Sequence, residues 1–381
     1  MESECRTRTI LALGTPCAHQ TCAGRSCAEK ARPRTVIPIG AAALAVMLSS
    51  APASADFSPT INVGAGLRTS FDVTDPSAGK KVEDFNLDSI RLYVSGSITD
   101  QISFMFNTEY KGSPPAGDNS VQVLDAAAQF HYSDEVNIWA GRFLPPSDRA
   151  NLYGPYYSNQ WGVYNDGVQD GYPSTATGRD NGIMYWGQFG ILKASGGVFD
   201  IPSTTHTSNK VYAGRLQVDL WDPEAGYYLN GTYYGEKDLL AFGIAAQSSS
   251  SHKAYSGDFL LEKKLPANGG VVTLEAEYAK YDHFGGYAAD QSNGWYGLGS
   301  YLFPKVIGYG KFQVLAKYAH AKYEFDTRPS DDIQKTQDLE LNYIIKDFKA
   351  RISLYYIDFK YDQQIVAVNH KQYGIGVQLQ L

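Results

Sequence analysis

The carboxyl-terminal segment KQYGIGVQLQL alternates strictly between apolar and polar positions, and this pattern limits the folds open to the chain more than any other feature. One set of alternate positions is apolar: Tyr373, Ile375, Val377, Leu379 and Leu381. The other set is polar or without a side chain: Gln372, Gly374, Gly376, Gln378 and Gln380. Successive side chains point to opposite faces of a β-strand, so the segment predicts a strand with one apolar face and one wet face.

The same alternation recurs along the chain, which predicts an all-β fold with many short strands. The clearest further examples are residues 89–99, 102–110, 271–278, 336–345 and 350–356. Their apolar faces carry no charge. Their polar faces carry Arg91, Glu109, Glu275, Glu277, Asp338, Glu340 and Arg351. An Arg or Lys facing lipid at the membrane midplane costs about 2–4 kcal/mol, so a transmembrane barrel must keep one face of each strand free of charge.

We therefore predict a transmembrane antiparallel β-barrel of about 16 strands, formed by residues 56–381. A barrel of this size leaves a water-filled lumen instead of a packed interior. The alternative is a soluble β-sandwich with its charged face in water. The number of strands and the abundance of tyrosine, a residue favoured at membrane interfaces, favour the barrel.

Residues 1–55 have the features of a cleaved signal peptide. The apolar run VIPIGAAALAVMLSS follows Lys30, Arg32 and Arg34, and it ends near the small-residue sequence Ala53-Ser54-Ala55. A transmembrane anchor is the alternative, but the run is short and contains a proline. We expect cleavage before Asp56. This predicts a secreted chain.

The composition of residues 56–381 excludes several classes of function. This part contains 27 basic and 37 acidic residues, a balance that argues against a nucleic-acid partner. All four cysteines lie before it, which excludes haem attachment and zinc–thiolate sites. No two of its histidines have the spacing of metal ligands. We therefore expect no metal site and no cofactor.

Residues 145–180 form the longest connection without strand alternation, and connections of this length usually have a function. Ser147-Asp148 can cap a short helix at its start. Its aromatic residues make it too apolar for a solvated loop; they are Tyr153, Tyr156, Tyr157, Trp161 and Tyr164. We expect this loop to fold into the barrel and form a constriction. The alternative is an external loop that packs on its neighbours or on another subunit of a trimer.

Charged residues of the loop and the strands form the candidate filter. The cationic side is expected to consist of Arg91, Arg142, Arg149 and Arg179, and the acidic side of Asp148, Asp166 and Asp170. Glu275 and Glu277 resemble a pair of catalytic carboxylates, as do Asp338 and Glu340. Residues i and i+2 of a strand share a face, however, and a hydrophilic pore wall needs the same arrangement.

Two segments, SIRLYVSGSITDQISFMFNTEY and IWAGRFLPPSDRANLYGPYY, resemble the phosphate-selective outer-membrane porins of the O and P type. The likeness is strongest from Phe85 to Gly187 and continues as a strand rhythm to the carboxyl terminus. The resemblance implies a sixteen-stranded trimeric porin with an inward third loop, in which Arg142 and Arg149 are lumen and loop cations. The acidic residues of this loop depart from the family's cationic pore. Phosphate selectivity is therefore not carried over.

The sequence thus predicts a passive outer-membrane channel for ions and small hydrophilic solutes, embedded in outer-membrane lipid as a homotrimer. An anion- or phosphate-selective porin is one alternative. Alternatives of another class are a barrel-borne hydrolase and an adhesin. No nucleophile motif supports the hydrolase. An adhesin is expected to have a plugged lumen and long loops, but the connections here are mostly modest.

Overall fold

The computed structural model describes residues 58–111, 120–168, 178–200, 210–250, 252–267, 269–283, 289–328 and 330–381. These residues form sixteen strands, as the alternation predicted. The strands are β1 (Thr60–Pro76), β2 (Val82–Ser97), β3 (Ile102–Lys111), β4 (Ser120–Ser133), β5 (Val136–Phe143), β6 (Asp180–Phe189), β7 (Leu192–Asp200), β8 (Lys210–Asp219), β9 (Leu239–Ser249), β10 (His252–Lys264), β11 (Val271–Asp282), β12 (Gln291–Leu302), β13 (Lys311–Glu324), β14 (Asp332–Lys346), β15 (Ala350–Tyr361) and β16 (His370–Gln380). The expected signal peptide and Asp170 lie outside the described residues, so both stay predictions.

Each strand pairs antiparallel with its neighbours in sequence, and β1 closes the sheet by pairing with β16. The closing register places Leu67 opposite Leu379 and Val73 opposite Tyr373. Closure satisfies the backbone donors and acceptors that an open sheet would leave unpaired at its edges. The carboxyl-terminal strand thus completes the barrel.

The distribution of burial is the reverse of that in a soluble protein. On β14, Leu339 and Leu341 are 55% and 40% exposed, whereas Asp338 and Glu340 are 3% and 5% exposed. The same inversion occurs on β16, where Leu379 is exposed and Gln378 and Gln380 are buried. The apolar face is therefore the outer face of the barrel, and the polar face is the inner one.

Two connections pack against the polar faces of the strands. The first, named here the α1 loop, is residues 144–168 with 178–179, and it contains the helix α1 (Arg149–Tyr153). The second, named the β8–β9 segment, is residues 220–238. In an up-and-down barrel these connections start at opposite ends, because one follows an odd-numbered strand and the other an even-numbered strand. No helix among the described residues is long and apolar enough to cross a membrane.

Candidate functional site

Helix α1 is fixed at both ends by local capping. The Asp148 side chain accepts a hydrogen bond from the Asn151 backbone amide at 2.8 Å, which satisfies one of the free amides of the first turn. Gly154 ends the helix with a φ of 62°, a conformation that favours glycine. Burial raises the pKa of Asp148 to about 6. The predicted N-cap is present, and the Asp148 carboxyl accepts a hydrogen bond from the first turn of α1.

The α1 loop is anchored to the polar face of β11, β14 and β15. Arg351 on β15 donates to the carbonyls of Ser158 and Asn159 at 2.9 and 3.1 Å. Glu340 on β14 accepts the Trp161 amide at 2.6 Å. Glu275 on β11 accepts from the Tyr153 hydroxyl at 2.9 Å. These charged residues hold the loop against the wall.

Trp161 of the α1 loop also lies close to β16 and β1, the two strands that close the barrel. The Trp161 ring lies so near Gly376 on β16 that a Cβ there would come within 2.4 Å of the indole. The Arg68 guanidinium on β1 stacks on the same indole, 4.1 Å from the ring centroid, and donates to the Trp161 carbonyl. The aromatic residues of the loop are therefore in contact with the barrel wall, where the lack of a side chain on β16 makes room for one of them.

A fully buried ion-pair network connects α1 to the β8–β9 segment. Arg149 binds Glu224 through two hydrogen bonds of 2.9 and 2.5 Å, and neither side chain is exposed. Arg149 also lies 3.6 Å from Asp258 on β10, which in turn pairs with Arg215 on β8. Burial opposes ionisation of Glu224, but Arg149 holds its pKa below the ordinary value. The arginine expected in a filter is thus used to join two segments.

The β8–β9 segment makes further contacts with the α1 loop and with the strands. The Tyr227 hydroxyl donates to the Leu144 carbonyl at 2.8 Å, and the Gly231 amide donates to the Tyr157 carbonyl at 2.8 Å. Tyr227 also packs edge-on against Trp139 of β5, with ring centroids 5.2 Å apart. The two connections are therefore in direct contact with each other.

A cavity of about 500 Å³ lies between the α1 loop, the β8–β9 segment and strands β2–β4. Two ion pairs line it: Arg91 with Glu109 at 3.1 Å, and Arg179 with Asp125 at 2.9 Å. The uncharged part of the lining is rich in tyrosine: Tyr93, Tyr153, Tyr157, Tyr164 and Tyr228. The cavity presents a balanced set of charges and aromatic rings.

The other candidates of the filter lie elsewhere. Arg142 shares a face of β5 with Ile138 and Ala140, and its Nε donates to the Val123 carbonyl at 3.2 Å. Asp166 is buried and pairs with Lys317 on β13 at 2.5 Å. Neither residue is part of the cavity lining between β2 and the α1 loop.

The remaining acidic candidates line the inner wall. Glu277 accepts from the Tyr296 hydroxyl at 3.3 Å, and Asp338 lies opposite Lys317 in the register of β13 and β14. Several buried charged residues of the strands were missed from the sequence, among them Arg68, Asp125, Arg215, Asp258 and Lys317. Their strands alternate too, and the polar face of each strand was the available signal. Glu224 had no such signal, since it lies in a connection.

Comparison with known proteins supports the fold alone. No family model matches the chain, and no curated protein matches it. Among solved structures, OmpF of Salmonella typhi is 12% identical, with a TM-score of 0.59 over 84% of this chain and 97% of that one. OprB of Pseudomonas putida is 9% identical, with a TM-score of 0.57 over 85% and 94%. An anion-selective porin of Comamonas acidovorans is 14% identical, with a TM-score of 0.50 over 85% and 100%.

These likenesses and the closed, outwardly apolar sheet define the class of protein. The chain is an integral β-barrel of the outer-membrane type, with the sixteen-stranded fold found in porins. An apolar outer face is compatible with lipid, and closure leaves no unpaired strand edge in the hydrocarbon region.

Proposed function

We propose that this protein is a passive diffusion channel for ions and small hydrophilic solutes. The observation that carries the proposal is the combination of a closed barrel, an apolar exterior and a charged interior. A water-filled passage needs such an interior, because ions and sugars enter only where polar groups replace part of their hydration.

In this proposal the α1 loop narrows the lumen and leaves the passage beside β2–β4. The anchoring bonds from Arg351, Glu340 and Glu275 support an inward course of the loop. The cavity lined by the Arg91 and Arg179 ion pairs is then the constriction. Cations and anions are balanced there, so we expect weak ion selectivity.

The resemblance to the phosphate-selective porins has two consequences. It raises anion preference as the alternative to weak ion selectivity, and it implies an assembly of three copies. The balanced charge of the cavity favours a general channel over the phosphate-selective alternative. Cross-linking of the protein in outer membranes tests the trimer, which should appear as a product of three times the chain mass.

Reconstitution in planar lipid bilayers tests the function. A channel gives stepwise current increments as single molecules insert, and the reversal potential across a salt gradient gives the sign of the preferred ion. The meeting of the α1 loop with the β8–β9 segment favours one competitor, a barrel whose lumen is blocked. Folded protein that inserts without current would favour this competitor and refute the channel. Peptide or lipid cleavage by the same preparation would instead indicate the hydrolase.

A further inference from the structure

A cluster of metal-ligating side chains lies at the end of the barrel from which the α1 loop starts, away from the cavity. It is formed by His283, which follows β11, by Asp290, which precedes β12, and by Asp326, which follows β13. One ligand atom of each residue lies within 4.8 Å of those of the other two. Sequence spacing did not reveal this cluster, because its members come from two different connections and meet only when β11, β12 and β13 are paired.

The imidazole of His283 is oriented as in a metal site. Its Nδ1 lies 2.7 Å from a carboxylate oxygen of Asp282, so that Nε2 is directed toward Asp326 at 3.5 Å. A carboxylate on one ring nitrogen and a metal ion on the other is the usual arrangement for a ligating histidine. Two ligands about 2.1 Å from a tetrahedral zinc ion are about 3.4 Å apart, close to this separation.

The Asp290 carboxylate and the backbone around the cluster are held by hydrogen bonds. Asp290 Oδ2 accepts the backbone amide of Asp326 at 2.8 Å, and the Asp290 carbonyl accepts the amide of His283 at 2.8 Å. The ring of His252, at the start of β10, stacks on His283 with centroids 5.7 Å apart. The cluster therefore combines an oriented imidazole, the hydrogen-bonded carboxylate of Asp290 and the exposed carboxylate of Asp326, with a second imidazole nearby.

We propose that His283, Asp290 and Asp326 bind a divalent transition-metal ion, with Zn²⁺ as the best-fitting ion. One imidazole and two carboxylates suit zinc, and three protein ligands leave a position for water. Asp282 is a positioning residue that orients His283. The bound ion joins the connection between β11 and β12 to the one between β13 and β14.

Zinc titration of the purified cleaved protein, which lacks the four cysteines of residues 1–55, followed by calorimetry, tests the proposal. We expect one site that is lost in the His283→Ala and Asp326→Asn variants. Asp282→Asn should weaken binding by about 10–100-fold, the usual effect of losing the partner of a ligating histidine. Titration with Co²⁺ provides a second measurement, because a tetrahedral site gives visible absorption that His283→Ala should abolish.

His370→Ala is the matched control. His370 also lies at this end of the barrel, but it stacks on Phe359 and is not part of the cluster. Its removal should leave zinc affinity unchanged. Heat-dependent migration on SDS gels confirms that each variant is a folded barrel. Wild-type protein that binds no zinc at millimolar concentration, or a folded His283→Ala variant that binds it with wild-type affinity, would overturn the proposal.

Discussion

Arg149 of helix α1 and Glu224 of the β8–β9 segment form a buried, two-bonded ion pair between connections that start at opposite ends of the barrel. Removing one partner of a buried pair leaves an unpaired charge and costs about 3–5 kcal/mol. We expect Arg149→Met and Glu224→Gln each to lower the free energy of unfolding by this amount, measured by urea unfolding in detergent.

The double variant Arg149→Met/Glu224→Gln is the control for that experiment. It leaves no unpaired charge at these two positions, so it should be less destabilised than the sum of the single variants. Single-channel conductance should rise in the single variants, because the two connections lose their ion pair and are held together less tightly. Additive destabilisation with unchanged conductance would show that the pair does not hold the interior together.

The ion pairs of the cavity should set the ion preference. Removing one unit charge changes an ion's energy at 4 Å by about 1 kcal/mol in water, or about fivefold in local concentration. Arg91→Gln and Arg179→Gln should each shift the reversal potential toward cations by up to this ratio, and Glu109→Gln should shift it toward anions. Arg328→Gln, an exposed arginine between β13 and β14, removes the same charge and should cause no shift. If Arg328→Gln shifts the reversal potential as much as the three cavity variants do, the charges of the cavity do not set the ion preference.

The outer face of β14 should tolerate no charge at mid-strand. Leu339 lies near the centre of this strand, and Leu339→Arg should destabilise the barrel in a bilayer by about 2–4 kcal/mol. Tyr309, which is 89% exposed in the turn between β12 and β13, is the control. Tyr309→Arg should cost little, because the side chain can reach water. Unfolding from vesicles measures both, and equal costs would show that the face of β14 does not meet lipid.

The approach of Trp161 to β16 should require a glycine at position 376. Gly376→Val places atoms where the indole lies, so the α1 loop must move. We expect a lower unfolding midpoint and faster liposome swelling with larger sugars. Gly297→Val on β12 provides the control, because a Cβ added at Gly297 meets no atom within 4 Å. If swelling changes equally in both variants, the loop is not positioned by this contact.

Strand alternation in the sequence defined the strands and their inner and outer faces, because each residue's face follows directly from its position. The same rule puts Glu340 and Arg351 on the buried polar faces of β14 and β15. The alternation does not identify partners. Arg149 finds Glu224 across 75 residues, a relation that depends on how two connections pack. The β8–β9 segment was missed for the same reason, since it has no period of its own.

Arg142 shows a second limit of the sequence. The β5 face that carries Trp139 and Phe143 is buried inside the barrel. On the other strands the inner face is polar, but on β5 it carries large apolar residues. Arg142, as the charged residue of this strand, was therefore expected in the lumen. The interior here packs against Tyr227, and that contact could not be anticipated from local alternation.

Chemical blocking of a single cysteine tests the central claim most directly. All four natural cysteines lie in residues 1–55, so cleaved protein has none. Asn107 lines the cavity, whereas Leu341 is exposed on the outer face of β14. A thiol-reactive reagent should reduce the current through Asn107→Cys and leave that through Leu341→Cys unchanged. Full labelling of Asn107→Cys, verified by mass, with no loss of current would contradict a conducting path through this cavity.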